Sequence, residues 1–245
     1  MDKVPIVAFD EIDSTNAEAK RRGDAGDRGP IWITASRQSA GRGRRGRNWE
    51  TSTGNLAATY FFTTDQSASE VAQYSFIAAL AVADLAGSYV PASIVSVKWP
   101  NDVLIAGRKT AGILIESSAR PGGGLWVAVG IGVNLSHPPT EAVYPATAFS
   151  EHMTAPSPQP LEALEKLSEA FERWRLLWRR ASFPPIAEAW TKRAHGLGEA
   201  CTARLPNETV EGIAEGIDAD GALRLRVAAG RIRRITAGDV FFGGA

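Results

Sequence analysis

Cysteine is all but missing from this chain. The single Cys201 excludes an intramolecular disulfide and any Cys-rich or Cys/His zinc site. Histidine is scarce as well: His137, His152 and His195 are too scattered to suggest a metal motif, so no resident metal is expected. No apolar run reaches the ~18 residues of a membrane span, and Met1 is followed by charge rather than a signal-type apolar stretch. A cytoplasmic protein without membrane contact is the resulting expectation. Net charge is absent too. The 27 Lys and Arg balance 27 Asp and Glu, which argues against whole-surface binding to nucleic acid but leaves room for a local basic site. What is present is an ordinary globular composition, 44% hydrophobic and 22% charged over 245 residues. That is the size of one large domain, or of one domain plus a small one.

Periodicity divides the chain unevenly. Residues 4–9, 31–35 and 56–63 read as strands, and 94–99, 103–106, 111–116 and 125–133 as a run of hairpins. Asp13-Ser14-Thr15-Asn16 carries helix-capping chemistry before a helix over 17–22, and 69–86 has apolar residues at helical spacing. Pro121-Gly122-Gly123-Gly124 reads as a turn. After a Pro-rich break at 155–160, residues 161–180 form an amphipathic helix with Leu164, Leu167, Phe171, Trp174 and Trp178 on one stripe. A shorter helix follows at 186–193, after Pro184-Pro185. Beyond Gly198 the period falls to two, and 200–205, 209–217, 222–226 and 232–236 read as short strands of a little barrel. The fold class is therefore α+β: a mixed, largely antiparallel sheet with helices, plus a small C-terminal β-barrel.

The segment 36–54 has no apolar period, and compact domains keep such long loops mainly for function. Its centre is Gly41-Arg42-Gly43-Arg44-Arg45-Gly46-Arg47. Glycine lets backbone approach a ligand, and arginine forks match phosphate or carboxylate oxygens. Like charges and the lack of apolar residues predict a loop that is disordered alone and orders on an anionic ligand. A solvated basic loop or an RNA-binding segment fits the same composition. Lysine is rare, six against 21 arginines, so two within a strand region need a reason. Lys98 and Lys109 are expected across a short turn from each other, where both ammonium groups could reach one pocket; two snorkelling surface lysines are the alternative. Asn134, ending Gly130-Ile131-Gly132-Val133, could read a base edge or close a turn. Ser14, Thr15 and Asn16 could be a plain cap or a polar-ligand site, and Trp49 a core anchor or a cavity wall.

Taken together and in this order, five blocks resemble the biotin protein ligases. They are Asp13-Ser14-Thr15-Asn16, the stretch from Gln38 to Trp49, Val97-Lys98-Trp99-Pro100-Asn101-Asp102, the stretch from Lys109 to Glu116, and Gly130-Ile131-Gly132-Val133-Asn134-Leu135. The resemblance implies a class II synthetase-like catalytic domain over 1–194 and an SH3-like domain over 198–245. With the catalytic domain starting near Met1, it implies the ligase-only type, without the N-terminal DNA-binding domain that some members carry. The implied chemistry is a two-step acyl transfer: biotin and ATP give biotinyl-5′-AMP, and a lysine of a biotin carboxyl carrier protein takes the acyl group. ATP would arrive with Mg2+.

By the same resemblance, Ser14, Thr15, Asn16 and Gln38 face biotin, Gly41, Arg42 and Arg44 close over the acyl phosphate, and Gly112 backs the pocket. Lys109 holds the biotin carboxyl or α-phosphate oxygen. Lys98, Asn101 and Trp49 lie on the nucleotide side, and Asn134 reads adenine. Arg42, Arg44, Lys98 and Lys109 form the catalytic set. Tyr144 or Phe149 would stack on adenine. The partner implied is the carrier of acetyl-CoA carboxylase or a related enzyme, with no DNA, and family members dimerise through the edge of the central sheet. A lipoate or octanoate ligase of the same fold, and an RNA-binding protein using the Arg/Gly loop, are the rivals.

Overall fold

In the computed structural model, which describes residues 3–120, 122–140 and 144–243, seven strands between Ile6 and Val133 form one sheet. They are β1 (Ile6–Ile12), β2 (Ile31–Gln38), β3 (Leu56–Thr64), β4 (Val95–Lys98), β5 (Asp102–Ile105), β6 (Arg108–Ala119) and β7 (Leu125–Val133). Their order is β1-β2-β3-β7-β6-β5-β4. Only β1 and β2 pair in parallel, with α1 (Thr15–Asp24) as the crossover; the other pairs are antiparallel. This is the mixed, largely antiparallel sheet expected from the sequence.

The two faces of the sheet have different tasks. Side chains alternate along a strand, so Val127, Val129, Ile131 and Val133 of β7 enter the main core. That face is covered by α2 (Ala68–Ala72), α3 (Tyr74–Gly87), α4 (Pro160–Ala181) and α5 (Pro184–Thr191). Helix α3 is buried at nearly every position, so its apolar character runs all round. Helix α4 buries only the stripe through Leu164, Leu167, Phe171 and Trp178. Trp32 of β2 ties sheet to helix by donating from Nε1 to Ser168 Oγ at 2.8 Å. On the opposite face, Ala19 of α1 packs with Ile33, Phe61 and Trp126. Gly112, Gly130 and Gly132 continue that face beyond α1, leaving a shallow floor.

Several element bounds differ from the sequence-based expectation. Strand β1 starts later and runs to Ile12, because its register with β2 continues through Glu11↔Arg37 and Ile12↔Gln38. The single helix expected over 69–86 is two helices. Ser67 and Glu70 form a reciprocal capping box at the start of α2, and the chain restarts at Gln73, whose side chain receives Trp178 Nε1 at 2.7 Å. Strand β6 begins immediately after the turn, at Arg108, and pairs with β7 as far as Ala119. Pro121 of the predicted turn lies outside the described residues.

The C-terminal unit is a five-stranded antiparallel sheet of β8 (Ala200–Arg204), β9 (Thr209–Ile217), β10 (Leu223–Arg226), β11 (Ile232–Ile235) and β12 (Asp239–Phe242), in the order β11-β10-β9-β8-β12. Four of these strands were expected from sequence alternation. The fifth, β12, has no polar–apolar alternation in Asp239-Val240-Phe241-Phe242 and is held by its pairing with β8. Trp99 Nε1 donates to Gly221 O at 3.0 Å, linking this unit to the segment that follows β4.

Candidate active site

A cavity of about 410 Å³ opens over the glycine floor, a volume suited to a small organic ligand. Its first wall is the start of α1. Ser14 is the N-cap residue, yet its side chain makes no capping hydrogen bond and lines the cavity instead. Arg21 holds Asp13 through both carboxylate oxygens, at 2.8 and 2.9 Å, and Asp13 also accepts from Ser14 N. The Arg21 hydrogen bonds keep the Asp13 carboxyl at about 2, so the turn presenting Ser14 stays clamped. Gln38, at the end of β2, accepts from Thr15 N at 2.8 Å and donates to Thr51 Oγ1 at 2.9 Å.

Glycine makes the floor possible. A Cβ on Gly132 would lie 2.2 Å from the Trp49 indole, and one on Gly112 would lie 3.0 Å from it. Trp49 therefore lies across the floor as a cavity wall, with the Lys109 ammonium 5.7 Å from its ring. Gly41 serves a different close approach. Its added Cβ would meet Trp49 O at 2.3 Å, and it lines the outer side of the loop rather than the cavity. Every other residue of the predicted biotin and adenylate sets lines the cavity.

The far end is cationic. Lys98 and Lys109 both line the cavity, but not from one hairpin as the sequence suggested. They lie on β4 and β6, with β5 between them, because Lys98 pairs with Asp102 and Leu104 with Lys109. Asp102 thus lies between two lysines. Lys109 Nζ approaches Asp102 Oδ1 at 2.6 Å without hydrogen-bond alignment, so that buried oxygen is charge-paired but makes no aligned hydrogen bond among the described residues. Lys98 forms no ion pair among the described residues and faces the Tyr144 and Phe241 rings at 5.6 and 5.8 Å. Burial pushes its ammonium below the usual lysine range, only partly offset by Asp102. An under-compensated buried cation of this kind favours an anionic ligand.

The Arg/Gly loop is not bare. Its ends are bridged at Arg42↔Asn48, with a short 3-10 turn at Arg44–Gly46. Arg44 donates to Asn101 Oδ1 at 3.0 Å, and burial depresses its guanidinium. Arg47 donates to Tyr144 Oη and to Asp239 Oδ1, both at 2.8 Å. Burial opposes the Arg47 charge more than any single contact favours it, but the Asp239 and Tyr144 contacts together outweigh it and the pKa rises. Arg45 reaches Asp239 Oδ2 at 3.4 Å. The tether therefore comes from β12, 192 residues further along the chain, a partner that no local pattern announces.

The remaining positions are partly committed to structure. Asn101 Nδ2 donates to Ile113 O at 2.7 Å, while Asn134 Nδ2 donates to Thr147 O at 3.1 Å, so Asn134 both closes a turn and lines the cavity. Of the two aromatic candidates, Phe149 is fully buried in the core, whereas Tyr144 lines the cavity and packs on Phe241. Backbone pairing of Lys109 with Pro145 and Thr147 holds this segment beside the site. Sequence reasoning passed over Thr59, Asp102, Glu116 and Asp239. Asp102 and Glu116 end recognisable blocks and could have been drawn from them; Thr59 and Asp239 carry no sequence signal.

Residues 8–135 match the profile of the biotin/lipoate A/B protein ligase family. The chain belongs to that family. Residues 196–243 match the biotin protein ligase C terminal domain. The biotin–[acetyl-CoA-carboxylase] ligase of Paracoccus denitrificans is 46% identical over 239 residues, covering 95% of this chain and 98% of that protein. The biotin–[acetyl-CoA-carboxylase] ligase of Mycobacterium tuberculosis is 34% identical over 93% of this chain and 85% of that protein. A structure of the biotin protein ligase from Aquifex aeolicus in complex with biotin and ATP has a TM-score of 0.80 at 24% identity, covering 98% and 99% of the two chains, and shares the fold. The cavity of this family member thus combines a glycine floor, a clamped helix start and a cationic end in one space.

Proposed function

We infer that this protein is an ATP-dependent ligase that activates biotin as biotinyl-5′-AMP and transfers it to a lysine of a biotin carrier protein. The observation that carries the reading is one cavity holding the polar start of α1 at one end and Lys98, Lys109 and Arg44 at the other. Two anions must meet in adenylation, and fixed positive charge stabilises the charge that develops between them. The Paracoccus relative's name points to the biotin carrier of acetyl-CoA carboxylase as acceptor.

In the first step, Ser14, Thr15, Asn16 and Gln38 orient the biotin head, with Trp49 as wall. Lys109 holds the carboxylate against the α-phosphate, and Arg42 and Arg44 gather its oxygens. Lys98 and Asn101 serve the nucleotide phosphates, Tyr144 supplies an aromatic face for adenine, and Asn134 reads its edge. Mg2+ enters with ATP as part of the substrate. The biotin carboxylate oxygen attacks the α-phosphorus and pyrophosphate leaves. In the second step the carrier amine attacks the acyl carbon and AMP departs. Closure of the Arg/Gly loop keeps the anhydride from water between the steps. Residues 1–194 form the catalytic unit and 198–245 the small barrel. Action in the cytoplasm, without DNA, and a homodimer through the edge of the central sheet complete the proposal.

Biotin-dependent ATP–pyrophosphate exchange with Mg2+, with lipoate and octanoate in parallel, tests the reading. Exchange with biotin alone is expected. Exchange with lipoate or octanoate instead would move the protein to the sister activity, and no exchange from folded protein would reject both. Lys109→Ala should lose adenylation by at least about a hundredfold while the protein stays folded, because Lys98 remains beside Asp102 to share its charge. Normal exchange by a folded Lys109→Ala protein would reject the role given to that lysine.

A further inference from the structure

Beside the cavity, on the same face of the sheet, lies a second polar layer. The Asn16 carboxamide packs on Gly130, where an added Cβ would come within 2.3 Å of Asn16 Oδ1. Asn16 Oδ1 accepts from Thr59 Oγ1 at 2.6 Å, and Asn16 Nδ2 donates to Glu116 Oε2 at 2.7 Å. Thr59, fully buried, lies 2.8 Å from Thr15 Oγ1, which in turn lies 3.2 Å from Gln38 Oε1. At the other end, Glu116 Oε2 also accepts from Arg42 Nη2 at 3.2 Å. A line of polar contacts therefore runs from Gln38 to Arg42, with the Thr15 backbone N–H also donating to Gln38 Oε1 at 2.8 Å.

Counting protons fixes its direction at Asn16 but not at Thr15. A carboxamide oxygen only accepts, so the one Thr59 hydroxyl proton goes to Asn16. The Thr15 hydroxyl then donates to Thr59 or to Gln38. At the Arg42 end, the Glu116 carboxylate is acceptor-only, and one of its oxygens receives both Asn16 and Arg42. That oxygen sets which way the Asn16 amide points. It also holds one edge of the Arg42 guanidinium. Among the described residues only Nη2 of Arg42 has a side-chain partner, so Nε and Nη1 remain for an anionic oxygen.

We propose that Glu116 is a positioning residue for adenylation: through Arg42 and Asn16 it aligns the loop's first arginine with the polar end of the cavity. The assignment rests on the function proposed above. It explains why an acidic side chain stands beside a site that must gather anions. Glu116 does not touch the reacting atoms; it orients Arg42, which gathers the phosphate oxygens, and Asn16, which faces the biotin head.

Exchange kinetics on Glu116→Ala, Glu116→Gln, Arg42→Lys and the Glu116→Ala/Arg42→Lys double variant test this. Both contacts use one oxygen, so glutamine can keep the geometry and lose only the charge. Glu116→Ala should lower kcat/KM for biotin roughly tenfold, and Glu116→Gln less than about threefold. In the Arg42→Lys background Glu116→Ala should cost clearly less than in the wild type, a coupling that a merely structural role would not produce. Wild-type kinetics for folded Glu116→Ala, or fully independent effects of the two substitutions, would overturn the proposal. Should Glu116→Ala fail to fold by circular dichroism, the same coupling is read with Glu116→Gln, and independence there overturns it equally. No biotin-dependent exchange in the wild-type protein would instead overturn the function itself, and this assignment with it.

Discussion

Gly132→Ala tests the central packing argument, that Trp49 needs a side-chain-free floor. Gly132 belongs to β7, opposite Ala57 on β3 and Gly112 on β6, in ordinary strand conformation. Alanine fits such a backbone, and the stiffer unfolded chain would by itself stabilise the fold by about 0.4–1 kcal/mol. The added methyl, however, would lie 2.2 to 2.6 Å from three atoms of the Trp49 indole. Contact normally begins near 3.4 Å or beyond, so the ring must withdraw by more than an ångström. Overpacking of this kind costs roughly 1–3 kcal/mol, and Trp49 is only half-buried, which favours the low end. The two effects nearly cancel, leaving a net loss of roughly 0–0.6 kcal/mol and a Tm lowered by no more than about 2 °C. Catalysis should suffer far more than stability. A shift of about 1 Å in a positioning group can cost ~100-fold, and Trp49 forms the wall beside Lys109. The assay is biotin-dependent exchange, with thermal unfolding followed by circular dichroism. A folded Gly132→Ala protein with unchanged KM for biotin and unchanged kcat would refute the reasoning.

Two further outcomes follow from the site's charges. Asp239→Ala removes the carboxylate that receives Arg47 and Arg45. A hydrogen bond to a charged group contributes about 1.5–3 kcal/mol, so tryptic cleavage within the Arg/Gly loop should accelerate about tenfold or more, and unchanged resistance would dismiss the tether. Lys98 is held below the usual lysine range by burial. Between that lowered value and the ordinary one the unfolded chain binds more protons, so this residue's contribution to stability improves as pH rises through that window, while the charge proposed to bind phosphate is lost. Exchange measured against pH should show an alkaline limb below the free-lysine range that moves upward in Lys98→Arg; an identical limb in both proteins would contradict this.

The sequence determined the parts that depend on near neighbours. Alternation in residues 125–133 marks a strand with one apolar face, and Gly-Arg-Gly-Arg-Arg-Gly-Arg supplies both backbone freedom and anion-binding forks within seven residues. Lys98, Asn101 and Asp102 come from one block because a tight turn holds them together. Chain folding in space decided the rest. Nothing near Asp239 indicates that it will meet Arg47, and Thr59 looks like any strand threonine until α1 brings Asn16 over it. Asp102 separates the two lysines only because β5 inserts between β4 and β6. Packing likewise decided that the Phe149 ring is buried in the core while Tyr144 lines the cavity. Local sequence fixes donor types, acceptor types and backbone periods; which carboxylate finds which guanidinium depends on strand order and packing across the whole chain.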